Sequence, residues 1–290
     1  MLKIIDDVEK MKVYARVMRK NGKMIGLVPT MGCLHEGHLS LMNAARKQTD
    51  IVVTSIFVNP IQFGQNEDFK KYPRDIKSDE LIVKNLGVDV LFCPHQKDMY
   101  PKGYSTHVDV GKMGNLLCGR SRPGHFKGVA TVVTKLFEIV KPDIAYFGQK
   151  DVQQAVIIRK MTNDLDMDVV IKVLPIIREK DGLAMSSRNT YLKKEERGQA
   201  VCLFTAINRA RELFADGLRD THKIIEEMKK VFEQKDLAKV EYINIVDMDT
   251  LKDLKTIKDK AVCALAVRIG KTRLIDNTIL GVEDEQNAFQ

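Results

Sequence analysis

Up to about position 175, short runs of β-branched and other apolar residues alternate with stretches whose apolar residues recur three and four apart. Met24–Val28, Ile51–Val58, Val88–Phe92, Asp143–Phe147 and Val169–Leu174 are almost continuously apolar and read as strands buried on both faces. Between them, Leu39–Gln48, Ile76–Asn85, Val129–Val140 and Val152–Leu165 carry the periodicity of amphipathic helices. That alternation predicts an α/β fold around a parallel sheet. Beyond 176 the pattern changes. Lys194–Asp216 (Val201, Phe204, Ile207, Leu213, Phe214) and Thr221–Phe232 (Ile224, Met228, Val231) read as two amphipathic helices, followed by strands Val240–Val246 and Ala261–Ile269. Helices first and strands later predict a smaller α+β domain. All 8 prolines lie at or before Pro175, which marks the same break. We therefore expect two domains, 1–176 and 177–290, meeting near Pro175–Asp181 without a long Gly/Ser linker.

The composition, 44% hydrophobic and 30% charged over 290 residues, supports a packed core and excludes a disordered or collagen-like chain. No window approaches the ~18 apolar residues of a membrane span, and Met1-Leu-Lys-Ile-Ile-Asp-Asp lacks the build of a signal peptide, so a cytoplasmic location is expected. The 5 cysteines are odd in number, scattered and without Cys-x-x-Cys spacing, and read as reduced thiols. A net charge of +8 fits nucleic acid, an acidic membrane surface or a small anionic substrate. The absence of Trp, 6% aromatics and no run of five like charges count against nucleic acid. A lysine-rich solvated surface is the plainer account of the excess.

Three segments carry candidate chemistry. The first strand ends in Pro29-Thr-Met-Gly-Cys-Leu-His35-Glu-Gly-His38, with a helix expected from about His38. Ligands of an open parallel sheet sit at the carboxyl ends of its strands, where helix N-termini favour anions. Two histidines three apart share a helix face and suit a phosphate, whereas a zinc-protease helix needs His-Glu-x-x-His. A glycine-rich turn with two incidental histidines stays open on this segment alone. Lys180-Asp-Gly-Leu-Ala-Met-Ser186-Ser187-Arg188-Asn offers hydroxyls and a guanidinium for phosphate oxygens, and equally a cap or loop before the helix at Lys194. Tyr146-Phe-Gly148-Gln149-Lys150-Asp151 again puts a cation at a strand's carboxyl end, with Asp151 a ready helix cap. Two loops add Asn59 and Gln62 as neutral polar groups and Arg120, Arg122 and His125 near the helix at Val129.

Together these segments resemble the pantothenate synthetase (pantoate–β-alanine ligase) family, within the class I aminoacyl-tRNA synthetase-like nucleotidyltransferases. The resemblance rests on Val-Pro-Thr-Met-Gly-x-Leu-His-x-Gly-His at 28–38, Ser-Ile-Phe-Val-Asn-Pro-x-Gln-Phe at 55–63, Tyr-Pro-Arg at 72–74 and Arg-Pro-Gly-His-Phe at 122–126. It continues through Lys-Pro-Asp-x-Ala-Tyr-Phe-Gly-Gln-Lys-Asp at 141–151, Asp-Gly-Leu-Ala-Met-Ser-Ser-Arg-Asn at 181–189 and Arg-Leu-Ile-Asp-Asn at 273–277. The match reaches about Gly281, and the tail 282–290 has no feature of the family.

The resemblance implies a Rossmann-type parallel-sheet ATP-binding domain, a smaller C-terminal lid domain and a homodimer. It implies ATP-dependent condensation of pantoate with β-alanine through a pantoyl adenylate, releasing pyrophosphate and AMP. It further implies ATP contacts from Met31, Gly32, Cys33, Leu34, His35, Glu36, Gly37 and His38, from Gly148, Gln149, Lys150 and Asp151, and from Ile177, Met185, Ser186, Ser187 and Arg188. His38, Lys150 and Arg188 are the implied catalytic residues, with Gln62, Gln154, Asn59 and His125 around pantoate and β-alanine. Gln149 stands where some members carry Glu. Mg²⁺ is expected on the ATP phosphates, without a protein metal site. The chemistry agrees: a carboxylate is ionised at neutral pH, so adenylation needs alignment and charge neutralisation, not a strong base. No residue is an obvious base for the attacking amine. Two other readings, a related adenylyltransferase for a nucleotide or phosphopantetheine and an RNA-binding protein, are separated from this one by whether pyrophosphate exchange into ATP requires pantoate.

Overall fold

The computed structural model describes residues 1–65, 67–282 and 289, so the tail after Val282 lies almost wholly outside the described residues. The chain forms two compact units. The first holds Met1–Asn115, Gly119–Gly148 and Gln154–Leu174, and the second Leu116–Cys118, Gln149–Gln153 and Pro175–Gln290. Two short upstream segments thus group with the C-terminal unit, an allocation the proline distribution does not signal. None of the described helices is long and apolar enough to cross a membrane.

The elements of the first unit run β1 (Lys3–Ile5), α1 (Val8–Lys20), β2 (Ile25–Thr30), α2 (Glu36–Gln48), β3 (Ile51–Ile56), α3 (Ile76–Asn85), β4 (Val90–Phe92), α4 (His125–Val140), β5 (Ile144–Gly148), α5 (Val152–Asp164) and β6 (Val170–Leu174). The strands form a six-stranded sheet in the order β1-β4-β3-β2-β5-β6, with every pairing parallel. The α/β architecture with a parallel sheet is as the sequence pattern predicts. Central β2 is buried at every residue but Pro29, as a strand covered on both faces should be. It pairs with β3 over its whole length and with β5 at Gly26 and Leu27. Strand order reverses between β2 and β5, so the crevice outside Thr30 and Gly148 is the topological switch point where such sheets take their ligands. Beneath it, Val28, Leu41, Met42, Ala45, Val52, Val83, Leu91 and Tyr146 pack α2 and α3 on the sheet.

The second unit contains α6 (Lys194–Ala200), α7 (Cys202–Ala215), α8 (Thr221–Lys230), β7 (Ala238–Val246), β8 (Ala261–Ile269) and β9 (Thr272–Leu280). The strands form an antiparallel sheet β7-β8-β9 whose core includes Leu203, Ile207, Ile224, Met228, Ile245, Cys263, Leu265 and Leu274. None of the five cysteines is in a disulfide.

Three features depart from the sequence pattern. Lys194–Asp216 is two helices, because the backbone tightens at Val201 (φ −61°, ψ −19°) and α7 starts anew. The N-terminal β1 and α1 escape the pattern because Val13 and Val17 are exposed while Met11 and Ala15 are buried, which spreads the apolar residues over two faces. Strand β9 escapes because its middle is polar and yet buried, with Asp276, Asn277 and Thr278 each no more than 2% exposed.

Candidate active site

At the carboxyl end of β2 the chain makes a tight, conformationally costly turn. Gly32 (φ +84°) and Cys33 (φ +53°) both adopt the left-handed region, which a side-chain-bearing cysteine disfavours. Two partners hold them there. Thr30 Oγ1 donates to Ser55 O (2.8 Å) and accepts from Gly32 N (3.2 Å). The buried Asp79 carboxylate of α3 accepts from Cys33 N (2.9 Å) and Leu34 N (2.8 Å). Burial pushes the Asp79 carboxyl above its ordinary value, and the two N–H bonds pull against that shift without cancelling it.

The turn delivers His35 to the N-cap of α2 in extended conformation, so it caps the first helical turn from outside. His35 Nδ1 accepts from Gly37 N (3.2 Å), and His38 Nδ1 accepts from His35 N (3.3 Å), a reciprocal capping box built from two imidazoles. The rings lie 4.1 Å apart. An Nδ1 that accepts a backbone N–H carries no proton, so each neutral ring has its proton on Nε2. The pair therefore presents two N–H donors at a helix N-terminus, a setting made for an anion.

The second cluster of this unit surrounds Gln62. Asn59 is fully buried and uses its whole amide: Nδ2 donates to Gln62 Oε1 (3.0 Å) and Gly128 O (3.1 Å), and Oδ1 accepts from Tyr100 Oη (2.8 Å). Burial keeps the Tyr100 phenol protonated by raising its pKa, with Tyr104 adding to the shift. Gln62 Nε2 reaches Met31 Sδ at 3.2 Å, joining this cluster to the β2 turn. Gly128 is needed for close approach, since a Cβ there would lie 2.5 Å from Ile61 O. His125 donates from Nδ1 to Gln62 O (2.8 Å), which leaves Nε2 to accept from Arg122 Nη1 (2.9 Å). Arg122 also forks onto Glu67 with both bonds at 2.6 Å. Burial raises the Glu67 pKa, but the guanidinium outweighs it and holds the carboxyl below its ordinary value. The Arg122 cation is thus committed to Glu67, and His125 supports Gln62 through its backbone. Gln154, on α5, is half-buried and its amide bonds to no other described residue.

In the second unit, Gln149–Asp151 forms a short 3-10 turn after β5. Lys150 Nζ stands 3.7 Å from Asp151 Oδ2, outside hydrogen-bond reach. Asn277 of β9 donates to Gln149 O and Lys150 O, both at 3.0 Å, and accepts from Gln149 Nε2 at 3.3 Å. Ile177 and Met185 close the base of a hairpin through Met185 N→Ile177 O (3.0 Å), with Arg178 bridging to Ala184. Arg178 forks onto the buried Asp276 carboxylate (2.7 and 2.9 Å) and lies over the Phe204 ring. Burial raises the Asp276 pKa against that pairing. Gly182 (φ +94°) turns the hairpin against Phe204. Ser186 then caps a 3-10 turn Ser187–Tyr191 by accepting from Arg188 N at 3.3 Å, whereas the N-cap of the helix at Lys194 is Lys193.

Within the first unit, then, Met31, His35, His38, Asn59, Gln62 and His125 form one connected neighbourhood. Within the second, Gln149, Lys150 and Asp151 share one turn and Ile177 and Met185–Arg188 share one hairpin and its exit. Sequence reading passes over Asp79, Tyr100 and Gly128, and includes Asp276 and Asn277 only within the 273–277 motif, without a role. Asp79 had a local signal: it sits four residues before Val83 on the apolar face of α3, where a lone acid needs a partner.

Comparison with known proteins follows the same lines. The family model described as pantoate-beta-alanine ligase matches residues 3–279. A pantothenate synthetase of Thermotoga petrophila is 54% identical over 280 residues, covering 97% of this chain and 100% of that protein. A pantothenate synthetase structure from Thermus thermophilus superposes with a TM-score of 0.90 at 40% identity, covering 95% of this chain and 98% of that one. A pantoate-beta-alanine ligase structure from Francisella tularensis, complexed with beta-gamma ATP and beta-alanine, gives a TM-score of 0.80 at 35% identity over 97% and 99% of the two chains.

Proposed function

The chain belongs to the pantoate–β-alanine ligase family, ATP-dependent enzymes that join an acid to an amine, and from that premise we propose that it makes pantothenate through a pantoyl adenylate. In the first step a pantoate carboxylate oxygen attacks the α-phosphorus of ATP, the α–β phosphoanhydride bond breaks, and pyrophosphate leaves with the bonding electrons. In the second the β-alanine amine attacks the acyl carbon, the bond to AMP breaks, and the amine loses a proton.

The observation that carries this reading is the imidazole capping box. Its Nε2–H donors at the N-terminus of α2 suit phosphate oxygens whose charge grows as pyrophosphate departs. His38 is the proposed catalytic donor, with Met31–Glu36 and Gly37 shaping its surroundings and Gly148 at the end of β5. Lys150 and Arg188 supply cations, and Gln149, Asp151, Ile177, Met185, Ser186 and Ser187 the remaining ATP contacts. Gln62 and Gln154 hold pantoate, with Gln62 also near β-alanine and with Asn59 and His125 supporting it. Among the described residues no three His, Cys, Asp or Glu cluster as metal ligands. Mg²⁺ is proposed to enter with the substrate, on the phosphate oxygens of ATP. The resemblance also supports a cytoplasmic homodimer that uses neither nucleic acid nor membrane.

The test is exchange of labelled pyrophosphate into ATP without β-alanine. Exchange that requires pantoate is expected; exchange without it, or none with it, overturns the adenylate reading.

A further inference from the structure

Asn277 stands in the middle of β9, only 1% exposed, between the buried Asp276 and Thr278. A buried carboxamide at a strand centre has to find partners for two donors and an acceptor. Both of its N–H groups go to one place, the successive carbonyls of Gln149 and Lys150, at 3.0 Å each. Two neighbouring carbonyls aimed at a single amide nitrogen fix the peptide planes on either side of the Lys150 Cα. They therefore fix the direction in which the Lys150 side chain leaves the backbone.

The remaining geometry shows which way this amide is oriented and why. With Nδ2 committed to the carbonyls, Oδ1 faces Gln149 and accepts from its Nε2 at 3.3 Å. Gln149 is fully buried, and its Oε1 has no hydrogen-bond partner among the described residues. Turning the Gln149 amide over would set its Oε1 against Asn277 Oδ1, so the unsatisfied oxygen cannot be relieved without releasing the carbonyl clamp.

We propose that Asn277 is a positioning residue that holds the Gln149–Lys150 turn so that the Lys150 ammonium meets the phosphates of ATP. This rests on the reading of Lys150 as a phosphate-binding cation. A lysine has four rotatable side-chain bonds, and its ammonium is useful to a transition state only if the backbone beneath it is already in place. Asn277 supplies that placement without touching substrate.

The experiment uses the full-length enzyme in single-turnover adenylate formation, enzyme in excess over ATP, so that very slow variants remain measurable. Asn277→Asp keeps the shape of the side chain and removes both donors; it is expected to slow adenylate formation about 100-fold, as a shift of about 1 Å in a reacting group does, with the KM for pantoate unchanged. In a Lys150→Met background, which has no ammonium left to position, the same substitution is expected to slow the reaction less than about 2-fold. A folded Asn277→Asp enzyme with the wild-type rate overturns the proposal, as does an equal slowing in both backgrounds, which is what a merely structural residue gives. Asn277→Ala goes through the same cycle if the carboxylate prevents folding. If Lys150→Met alone keeps the wild-type rate, the reading of Lys150 falls and Asn277 falls with it. If Lys150→Met is slow and Asn277→Asp is not, only the positioning role is lost.

Discussion

Replacing Asp79 by Asn tests whether the left-handed turn beneath the histidines is held by a charge. Asp79 accepts two backbone N–H groups, at 2.9 and 2.8 Å, and hydrogen bonds to a charged group contribute about 1.5–3 kcal/mol each. An asparagine has one acceptor oxygen, so it keeps one bond at neutral strength and turns an NH₂ toward the other N–H. The gross loss is about 2–4 kcal/mol. Cys33 is then less firmly held at a positive φ that itself costs about 1–2 kcal/mol, and the turn relaxes. His35 and His38 move with it. A displacement of about 1 Å at the donors should slow adenylate formation about 100-fold. Stability should fall less than the gross figure, because Asp79 is 2% exposed and its burial as an anion is itself unfavourable. The sign with pH follows: a carboxyl whose folded pKa is raised contributes stability fully present below its ordinary value of 3.8, and loses it as pH rises through the raised value. The stability gap between wild type and Asp79→Asn should therefore be smaller at pH 7 than at pH 4. Urea unfolding at both pH values and pantoate-dependent pyrophosphate exchange check the two halves. A folded variant that exchanges within about 3-fold of wild type would refute the positional argument, and a gap that widens at pH 7 would refute the electrostatic one.

His38→Ala and Lys150→Ala should each lose all but a residual rate of adenylate formation while circular dichroism and the unfolding transition show an intact fold; normal pantoate-dependent exchange in either sinks its assigned role. Gly128→Ala places a Cβ 2.5 Å from Ile61 O and must push the Asn59–Gln62 turn away from α4. Its expected signature is a KM for pantoate raised at least about 10-fold with the KM for ATP little changed, measured by steady-state coupling to AMP release. For Glu67, whose pKa is held below the ordinary 4.5, the ion pair with Arg122 contributes stability above that value and loses it as pH falls through the lowered folded value. Glu67→Gln should therefore narrow its stability deficit below pH 4.5 and show it in full at pH 7, by acid titration of intrinsic tyrosine fluorescence.

The central strands of the ligand-binding end were legible because β2 to β5 are largely apolar and buried on both faces, whereas β6, at the sheet edge, buries only Val173. The histidines were legible because their spacing and their place after a strand carry the chemistry directly. What escaped is one kind of role: polar side chains buried to hold backbone, as Asp79 and Asn277 do. Their partners are main-chain groups distant in sequence, 46 residues away from Cys33 for Asp79 and 127 from Lys150 for Asn277. Nothing local to a strand or helix records such a pairing. In β9 the effect is strong enough to hide the strand itself, since the residues doing the holding interrupt its apolar pattern.

The net charge of +8 takes a different meaning once partners are known. Arginines at the two candidate neighbourhoods are largely bound into forks: Arg122 on Glu67, and Arg178 on Asp276. A planar guanidinium suits a permanent bidentate pair, because its geometry is preorganised and little entropy is lost per bond. Such a pair is a poor substrate site, since an incoming phosphate must first break two short bonds and leave a carboxylate unpaired. Lys150 differs in both respects. Its ammonium is a point charge on a flexible stem, and its contact with Asp151 at 3.7 Å is too long to be a hydrogen bond. Exchanging that contact for phosphate oxygens sacrifices little, provided the stem starts from a fixed backbone. On the proposed reading Arg122 and Arg178 serve the framework, Lys150 and Arg188 meet the transient anion, and the buried Asn277 gives Lys150 its footing.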